Sequence, residues 1–229
     1  MEDSLRRAEP WYRFAEWSLR PAIALWFNWR FEGLEHIPRE GPVLVACNHV
    51  SYLDPLAHAY MLVKAGRRPR FLTKSELYGN WFLRHLLEGA GQIKVQRGSG
   101  SMAPVDEAKQ ALRRGEAIMV YPEATITRNP DHTPMEGKTG VARLTLATEV
   151  PVLPIAVWGS QHVWQRTGAR SLKFGRPIWL KAAAPLDFSQ LEGEKDDQAT
   201  LRKITDTVMD ELSRLVNDLR ARYPKRWSE

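Results

Sequence analysis

Compact apolar runs alternate along the chain with segments whose apolar residues recur at intervals of three and four. β-Branched or alternating runs predict strands at residues 42–47, 70–73, 92–96, 117–121, 152–158 and 173–180. Helical spacing of apolar residues predicts helices at residues 55–64, 80–88, 104–114 and 140–148. Repeated strand–helix–strand units with short connections predict a single α/β domain, in which helices flank a mostly parallel central sheet.

The last part of the chain contains a long apolar stripe. Residues 190–198 are charged and weakly patterned, so they predict a surface loop. A helix is predicted at residues 199–220, because apolar side chains repeat along one face at Leu201, Ile204, Val208, Leu212, Leu215 and Leu219. We place the globular domain at residues 31–229.

Residues 10–31 are rich in aromatic side chains but are interrupted by charged residues and by Pro21. A bilayer-spanning helix needs roughly 20 mainly apolar residues, so the segment predicts two short amphipathic helices broken at the proline. Tryptophan together with arginine suits the headgroup region of a bilayer. We therefore predict membrane-interface helices in residues 1–30, with four tryptophans at the lipid surface: Trp11, Trp17, Trp26 and Trp29. The alternative, in which these helices only cover the core, stays open.

The composition of the 229-residue chain is that of a folded globular protein, since 43% of its residues are hydrophobic and 26% are charged. A formal net charge of +6 favours an anionic partner such as nucleic acid, anionic lipid or a phosphate-bearing molecule. No nucleic-acid-binding motif is recognisable, so we expect no nucleic-acid partner. The single cysteine excludes an internal disulfide, and the first residues lack a leader-peptide pattern, which predicts a cytoplasmic location.

The main candidate for chemistry follows the strand at residues 42–47, where residues 47–55 read CNHVSYLDP. Ligands of open α/β sheets bind outside the carboxyl ends of the strands, which places His49 where chemistry is normally done. On one regular helix, two residues with this spacing would lie about 140° apart and would not meet. His49 and Asp54 can meet if the histidine lies in the turn and the aspartate lies in or just before the first helical turn, which is supported because Asp is a good N-cap and Pro55 a good first helical residue.

The His49–Asp54 pair suits general-base catalysis. An aspartate that accepts a hydrogen bond from one ring nitrogen would fix the tautomer and leave the other nitrogen free to take a proton from an alcohol. A purely structural hydrogen bond, or a cap and nothing more, stays open as an alternative. Cys47 points to the same side as His49 on an extended chain, so an acyl-enzyme on its thiol is conceivable. Free cysteines in such positions are more often small buried hydrophobes.

Three further blocks follow this motif along the chain: GQIKVQR at residues 91–97, YPEAT at 121–125 and VPVLPI at 150–155. In this order, and over residues 31–180, the four blocks resemble those of the 1-acylglycerol-3-phosphate O-acyltransferase family, also called lysophosphatidic acid acyltransferases. The resemblance implies acyl transfer from a thioester of coenzyme A or acyl carrier protein to the hydroxyl of a lysophospholipid, foremost lysophosphatidic acid to give phosphatidic acid. It implies neither a metal nor a bound cofactor.

The resemblance also assigns roles to residues. His49 would be the general base and Asp54 its orienting partner. The acceptor site would be shaped by residues of the first and third blocks: Asn48, Glu123 and Thr125. The acceptor phosphate would be bound by cations in or near the blocks: Arg97, Lys74, Arg128 and Lys138.

Two positions depart from the family pattern. Ala124 replaces the glycine of the third block, and Ile126 stands where an arginine is common. Arg128 or Lys138 would then supply the missing phosphate contact. Because of these departures, acylation of another phosphate-bearing lipid or of glycerol 3-phosphate stays open. A non-catalytic membrane-surface protein and a thioesterase are the other candidate functions, and in every membrane-bound case we expect peripheral binding to the inner face of the membrane.

Overall fold

The computed structural model describes residues 24–95, 103–190 and 197–227. Its seven strands are β1 (Asn28–Glu32), β2 (Val43–Cys47), β3 (Pro69–Lys74), β4 (Ile93–Val95), β5 (Ala117–Val120), β6 (Val152–Trp158) and β7 (Pro177–Ala182). They form one sheet in the order β1-β7-β6-β2-β5-β3-β4. All neighbouring strands are parallel except β6 and β7. The predicted α/β fold with a mostly parallel sheet is confirmed.

Five α-helices flank the sheet in the described residues: α1 (Asp54–Lys64), α2 (Trp81–Gly89), α3 (Ala103–Arg113), α4 (Gly140–Thr148) and α5 (Gln198–Arg222). Short 3₁₀ helices lie at Leu34–His36, Ser75–Gly79, Ser160–His162 and Lys225–Trp227. Apart from the two strands discussed below, each predicted element agrees with the structure to within two residues at either end. Within the described part of the chain, none of the helices has both the length and the apolar character needed to cross a bilayer.

Strand β2 is the centre of the core, and each of its five residues is buried. Val43, Val45 and Cys47 pack on one face of the sheet with side chains of α1. Leu44 and Ala46 pack on the other face with side chains of α3, α4 and α5. Burial on both faces explains why this strand is a continuous apolar run without a polar alternation.

The sequence-based prediction is wrong for residues 28–31, which belong to β1 and not to a helix. β1 pairs in parallel with β7 and crosses the predicted boundary between residues 30 and 31. Polar and aromatic residues alternate along it, which is the period of a strand. Trp29 contacts the ring of Tyr60 on α1 at 5.0 Å between centroids and packs against the core, so its predicted place in an interfacial helix is also wrong. Trp11 and Trp17 lie outside the described residues.

The last predicted strand begins four residues later than expected, at Pro177 instead of residue 173. Lys173 and Phe174 are exposed and belong to the loop that leads into β7. The strand pairs with β1 from its first residue, and from Trp179 onward it also pairs with β6. Of the predicted surface loop at 190–198, residues 191–196 lie outside the described part of the chain.

Candidate active site

The carboxyl ends of β6, β2 and β5 lie side by side, because these three strands are neighbours and run parallel. The loop after β2 carries His49, the loop after β5 carries Glu123, and the loop after β6 carries Ser160. Residues from three distant parts of the sequence are therefore brought to one edge of the sheet, as expected for an open α/β fold.

His49 and Asp54 meet at this edge, as predicted. The Nδ1 atom of His49 lies 2.9 Å from Oδ2 of Asp54. The Asp54 side chain is fully buried, whereas the His49 side chain keeps 16% of its surface exposed. No described residue hydrogen-bonds to Nε2 of His49. If Nδ1 carries the hydrogen that Asp54 accepts, Nε2 is left with a free lone pair.

The Asp54 carboxylate accepts three hydrogen bonds from its own loop. Besides the His49 ring, the backbone N–H groups of Val50 and Ser51 donate to Oδ2 at 2.6 and 2.7 Å. Asp54 lies in the first turn of α1, as predicted, but it is not the N-cap that the Asp-Pro pair suggested. Leu53 occupies the N-cap position, and its side chain makes no capping bond. The Asp54 side chain thus bonds to the backbone of the turn between β2 and α1 and, through Nδ1, determines the orientation of the imidazole.

Ser160 holds the other oxygen of Asp54, and sequence reasoning missed it. Its hydroxyl, fully buried, donates to Oδ1 at 2.5 Å. The preceding Gly159 has φ 100°, and a Cβ atom there would collide with the Pro177 carbonyl oxygen and the Tyr223 ring. Only glycine fits the turn that aims the serine at Asp54. The sequence shows only that Ser160 follows a predicted strand, and the structure is needed to show that this strand neighbours β2.

Glu123 fixes the backbone of His49. Its Oε1 accepts the N–H of His49 at 3.0 Å, and its Oε2 accepts the N–H of Met135 at 2.9 Å. Burial raises the pKa of Glu123 to about 7, although both backbone N–H groups oppose this shift. The N–H of Thr127 also donates to the carbonyl oxygen of His49, at 2.7 Å. The loops after β2 and β5 are therefore bonded through the backbone of the histidine itself.

Ala124 adopts the left-handed conformation, with φ 58°. Its N–H donates to the carbonyl oxygen of Tyr121 at 2.9 Å, which closes the turn that carries Glu123. This position is the one at which the resembling family carries glycine, and a left-handed backbone explains that preference. The chain keeps the turn with alanine, at the steric cost of a Cβ atom.

Tyr121 packs on the imidazole of His49, and His58 in turn contacts Tyr121 and Asp54. The ring of Tyr121 stacks on that of His49, with centroids 4.3 Å apart and planes at 25°. Nδ1 of His58 lies 2.9 Å from the backbone oxygen of Asp54 and 3.2 Å from the hydroxyl of Tyr121. Burial lowers the pKa of His58 to about 4, so this histidine is neutral. His58 therefore has a structural role beside the site.

Asn48 is fully buried and bonds to the backbone of β6. Its Nδ2 donates to the Val157 oxygen at 3.1 Å, and its Oδ1 accepts the Val157 N–H at 2.8 Å. The side chain thus extends the pairing of β2 with β6 by one step and holds the His49 turn against β6. Cys47, just before it, is buried, and burial raises the pKa of its thiol well above the ordinary value, which disfavours the alternative of a cysteine nucleophile.

The predicted phosphate-binding residues do not all fall within the described structure. Arg97 lies outside it, and Lys74 is described only as the backbone end of β3. The side chains of Arg128 and Lys138 are exposed, and neither forms an ion pair with a described residue. The backbone N–H of Lys138 donates to the Pro122 oxygen at 2.9 Å, which places this residue beside the third block.

Thr125, the last residue of the third block, and Ile126, which follows it, differ in their exposure to solvent. Thr125 is partly exposed beside Glu123. Ile126 is only 5% exposed, so the position where an arginine is common points into the protein here.

This site combines a buried carboxylate with an oriented imidazole, one nitrogen of which no described residue binds, at the carboxyl ends of the central strands. A general-base transferase or hydrolase requires such groups. Residues 28–158 match the family described as Acyltransferase, which is more than half of the chain. The chain belongs to this family and is an acyltransferase.

Relatives with more specific names include an enzyme of Borreliella burgdorferi, a 1-acyl-sn-glycerol-3-phosphate acyltransferase. It is 29% identical over 185 residues, which are 79% of this chain and 70% of the relative. The lyso-ornithine lipid O-acyltransferase of Pseudomonas aeruginosa is 31% identical over 143 residues, 62% of this chain and 51% of that protein.

Among solved structures, the chain resembles the 1-acyl-sn-glycerophosphate (LPA) acyltransferase PlsC from Thermotoga maritima. The TM-score is 0.62 at 26% sequence identity, and the match covers 95% of this chain and 81% of the other.

Proposed function

We propose that this acyltransferase transfers a fatty acyl group from an acyl thioester to the free hydroxyl of a lysophospholipid, with His49 as the general base and Asp54 as the residue that orients it. Lysophosphatidic acid is the proposed acceptor and phosphatidic acid the product. The observation that carries the proposal is the 2.9 Å contact between Nδ1 of His49 and Oδ2 of Asp54, which leaves Nε2 for the substrate.

The reaction follows from this geometry. Nε2 of His49 takes the hydroxyl proton while the alcohol oxygen attacks the thioester carbonyl carbon. The tetrahedral intermediate collapses, its C–S bond breaks, and the proton passes from the imidazolium to the departing thiolate. Asp54 stabilises the transient imidazolium and keeps the ring in one tautomer throughout. The donor thioester is carried by coenzyme A or by acyl carrier protein.

The names of two relatives support lysophosphatidic acid as the acceptor, since the Borreliella burgdorferi and Thermotoga maritima proteins are named for it. The doubly charged phosphate of this lipid would pair with Arg97, Lys74, Arg128 and Lys138. One observation favours a second acceptor class: the Pseudomonas aeruginosa relative is named for a lyso-ornithine lipid. The buried Ile126 is consistent with this second class, because the arginine that is common at its position in the family is missing here.

We also propose that the enzyme is cytoplasmic and binds peripherally to the inner face of an anionic membrane, because its acceptor is an amphiphile that resides there. Residues 1–30 would contribute to this binding through Trp11, Trp17 and Trp26. Glu123, Thr125 and Asn48 would shape the acceptor site by holding the turn that carries His49.

A transfer assay with the purified full-length chain tests the proposal. Labelled acyl-coenzyme A and acyl-acyl carrier protein are each offered with lysophosphatidic acid, lyso-ornithine lipid or glycerol 3-phosphate, and the lipid products are separated. We expect phosphatidic acid from lysophosphatidic acid. Release of free fatty acid in place of lipid would identify a thioesterase, and labelled product from lyso-ornithine lipid alone would establish the second acceptor class.

His49→Ala should lower turnover by at least about 10³-fold, since both the proton acceptor and its contribution to the transition state are removed. His85→Ala is the matched control, because this histidine is exposed on α2 and bonds only to its own helix. Near wild-type turnover of His49→Ala, with His85→Ala unchanged, would disprove the mechanism.

Arg97→Glu should raise the KM for lysophosphatidic acid more than it lowers kcat, because the substitution repels the phosphate without touching the base. Arg113→Glu, an exposed arginine at the end of α3, makes the same charge change elsewhere. An equal KM for the two variants would remove Arg97 from the phosphate site.

A further inference from the structure

An exposed apolar patch lies outside the catalytic residues. It consists of Leu25, Trp26, Leu172 and Phe174, which are 75%, 45%, 61% and 69% exposed. Contiguous apolar surface of this kind is uncommon on soluble proteins and marks an interaction site. We call these four residues the docking patch.

The docking patch is preassembled by hydrogen bonds between its two segments. Nε1 of Trp26 donates to the backbone oxygen of Leu172 at 3.0 Å, and the N–H of Gly175 donates to the backbone oxygen of Trp26 at 2.8 Å. The rings of Trp26 and Phe174 contact edge to face, with centroids 5.8 Å apart. The rings are therefore fixed while their outer surfaces face solvent.

The loop between β6 and β7, which carries Leu172 and Phe174 of the docking patch, has charged residues of one sign only. Residues 150–186 contain neither aspartate nor glutamate. Three exposed cations lie in the loop between β6 and β7: Arg166, Arg170 and Lys173. The guanidinium of Arg170 lies over the ring of Trp164, 4.1 Å from its centroid. A loop that carries exposed aromatic and aliphatic side chains together with cations, and no carboxylate, matches the interfacial region of an anionic bilayer.

The docking patch faces the same edge of the sheet as the catalytic histidine. β7 is antiparallel to β6, so the loop between them begins and ends at the carboxyl end of β6. The loop is also bonded to the catalytic turn, since the Ser51 hydroxyl donates to the backbone oxygen of Trp164 at 2.7 Å. The half-exposed ring of Tyr52 contacts that of Trp164, which joins the two surfaces.

We propose that the docking patch inserts into the surface of an anionic lipid bilayer and holds the opening of the active site at the level of the headgroups. A lysolipid acceptor then reaches His49 from the bilayer without passing through water. The inference rests on the proposed function for the lipid nature of the acceptor. It places the 164–174 loop, which the sequence did not single out, in contact with the membrane.

A fluorescent probe on the docking patch tests this. The only native cysteine, Cys47, is buried, so a cysteine introduced in Leu172→Cys is labelled selectively with an environment-sensitive dye in the full-length chain. Lys203→Cys, exposed on α5, carries the control dye. With vesicles of phosphatidylcholine and phosphatidylglycerol we expect a blue shift and a rise in emission at position 172 alone. The signal should weaken with salt and with pure phosphatidylcholine.

Three outcomes would overturn the proposal. The first is an unchanged emission at position 172 on anionic vesicles. The second is a dye that is already blue-shifted in dilute lipid-free protein, which would mean that another part of the chain covers the docking patch. The third is a blue shift that grows with protein concentration in the absence of lipid, which would mean that a second copy is the occupant.

A pair of charge-introducing variants tests the same surface without a dye. Leu172→Asp with Phe174→Asp should lower the partition coefficient onto anionic vesicles by about tenfold or more, whereas Leu77→Asp, which removes a 43% exposed leucine elsewhere, should change it little. Equal losses would contradict a specific role for the docking patch. Circular dichroism checks that each variant is folded. Neither readout requires turnover, so failure of the docking patch and failure of the proposed acyl transfer are seen separately.

Discussion

Ser160 donates its hydroxyl hydrogen to Oδ1 of Asp54 over 2.5 Å, although the two residues are 106 positions apart. Both side chains are fully buried. The bond joins the end of β6 to the turn after β2, so the carboxylate that orients His49 is held from two strands at once. A loop residue placed in this way by a rigid sheet is a common means of fixing catalytic geometry.

Ser160→Ala should lower kcat about tenfold with little effect on KM, because Asp54 loses a donor and the imidazole loses part of its orientation. Steady-state kinetics measure both constants. Ser189→Ala, at an exposed position, is the control. A change in KM alone would mean that Ser160 contacts substrate and does not act through Asp54.

Asp54→Asn should abolish most of the activity. The carboxylate accepts hydrogen bonds from His49, Val50 and Ser51 on Oδ2 and from Ser160 on Oδ1, whereas an amide has only one acceptor oxygen and carries no charge to stabilise the imidazolium. A loss of kcat on the order of 10³–10⁴-fold is expected by analogy with orienting aspartates in serine proteases. Asp210→Asn on the exposed face of α5 serves as the control. Activity within tenfold of wild type would remove Asp54 from the mechanism.

Glu123 should make the stability of the protein depend on pH. Burial raises its pKa from 4.5 to about 7, so between these values the folded state holds a proton that the unfolded state has lost. The contribution of Glu123 to the free energy of unfolding therefore falls as pH rises through this window, by at most about 3 kcal/mol, and is level above it.

Urea denaturation between pH 4 and pH 8 measures this dependence. The difference in free energy of unfolding between the wild type and Glu123→Gln should fall by this amount as pH rises, whereas Glu107→Gln, at an exposed position on α3, should leave the wild-type profile unchanged. Parallel pH profiles for wild type and Glu123→Gln would contradict the assignment of the raised pKa to this carboxyl group.

Ala124→Gly should stabilise the protein. At φ 58° the Cβ atom of alanine is strained, and its removal should gain about 0.5–1 kcal/mol after the entropic cost of glycine. Ala199→Gly in the first turn of α5 is the opposite control and should cost up to about 1 kcal/mol. Urea denaturation compares the two. Destabilisation of Ala124→Gly to the same extent as the control would show that the turn does not store this strain.

Most strands and helices could be predicted because their hydrophobic periods are local properties. The two exceptions have different causes. In β1 a short alternating run was hidden by its aromatic flank, whereas the start of β7 is set by the distant strand β1, with which its first residue pairs. Within the site, the meeting of His49 with Asp54 could be predicted from the motif. The bond of Ser160 to Asp54 could not, because nothing in the local sequence of residues 159–162 refers to a carboxylate in another loop.

The sequence alone determined the class of fold, the position of the catalytic motif at a strand end and the family resemblance, since these depend on residue types at short spacings. Only the tertiary structure decided how the aspartate is used. Leu53 and not Asp54 occupies the cap of α1, and the carboxylate is shared between its own turn and Ser160. Such a choice depends on which strands are neighbours in the sheet, and strand order is settled by packing of the whole chain and not by any single segment.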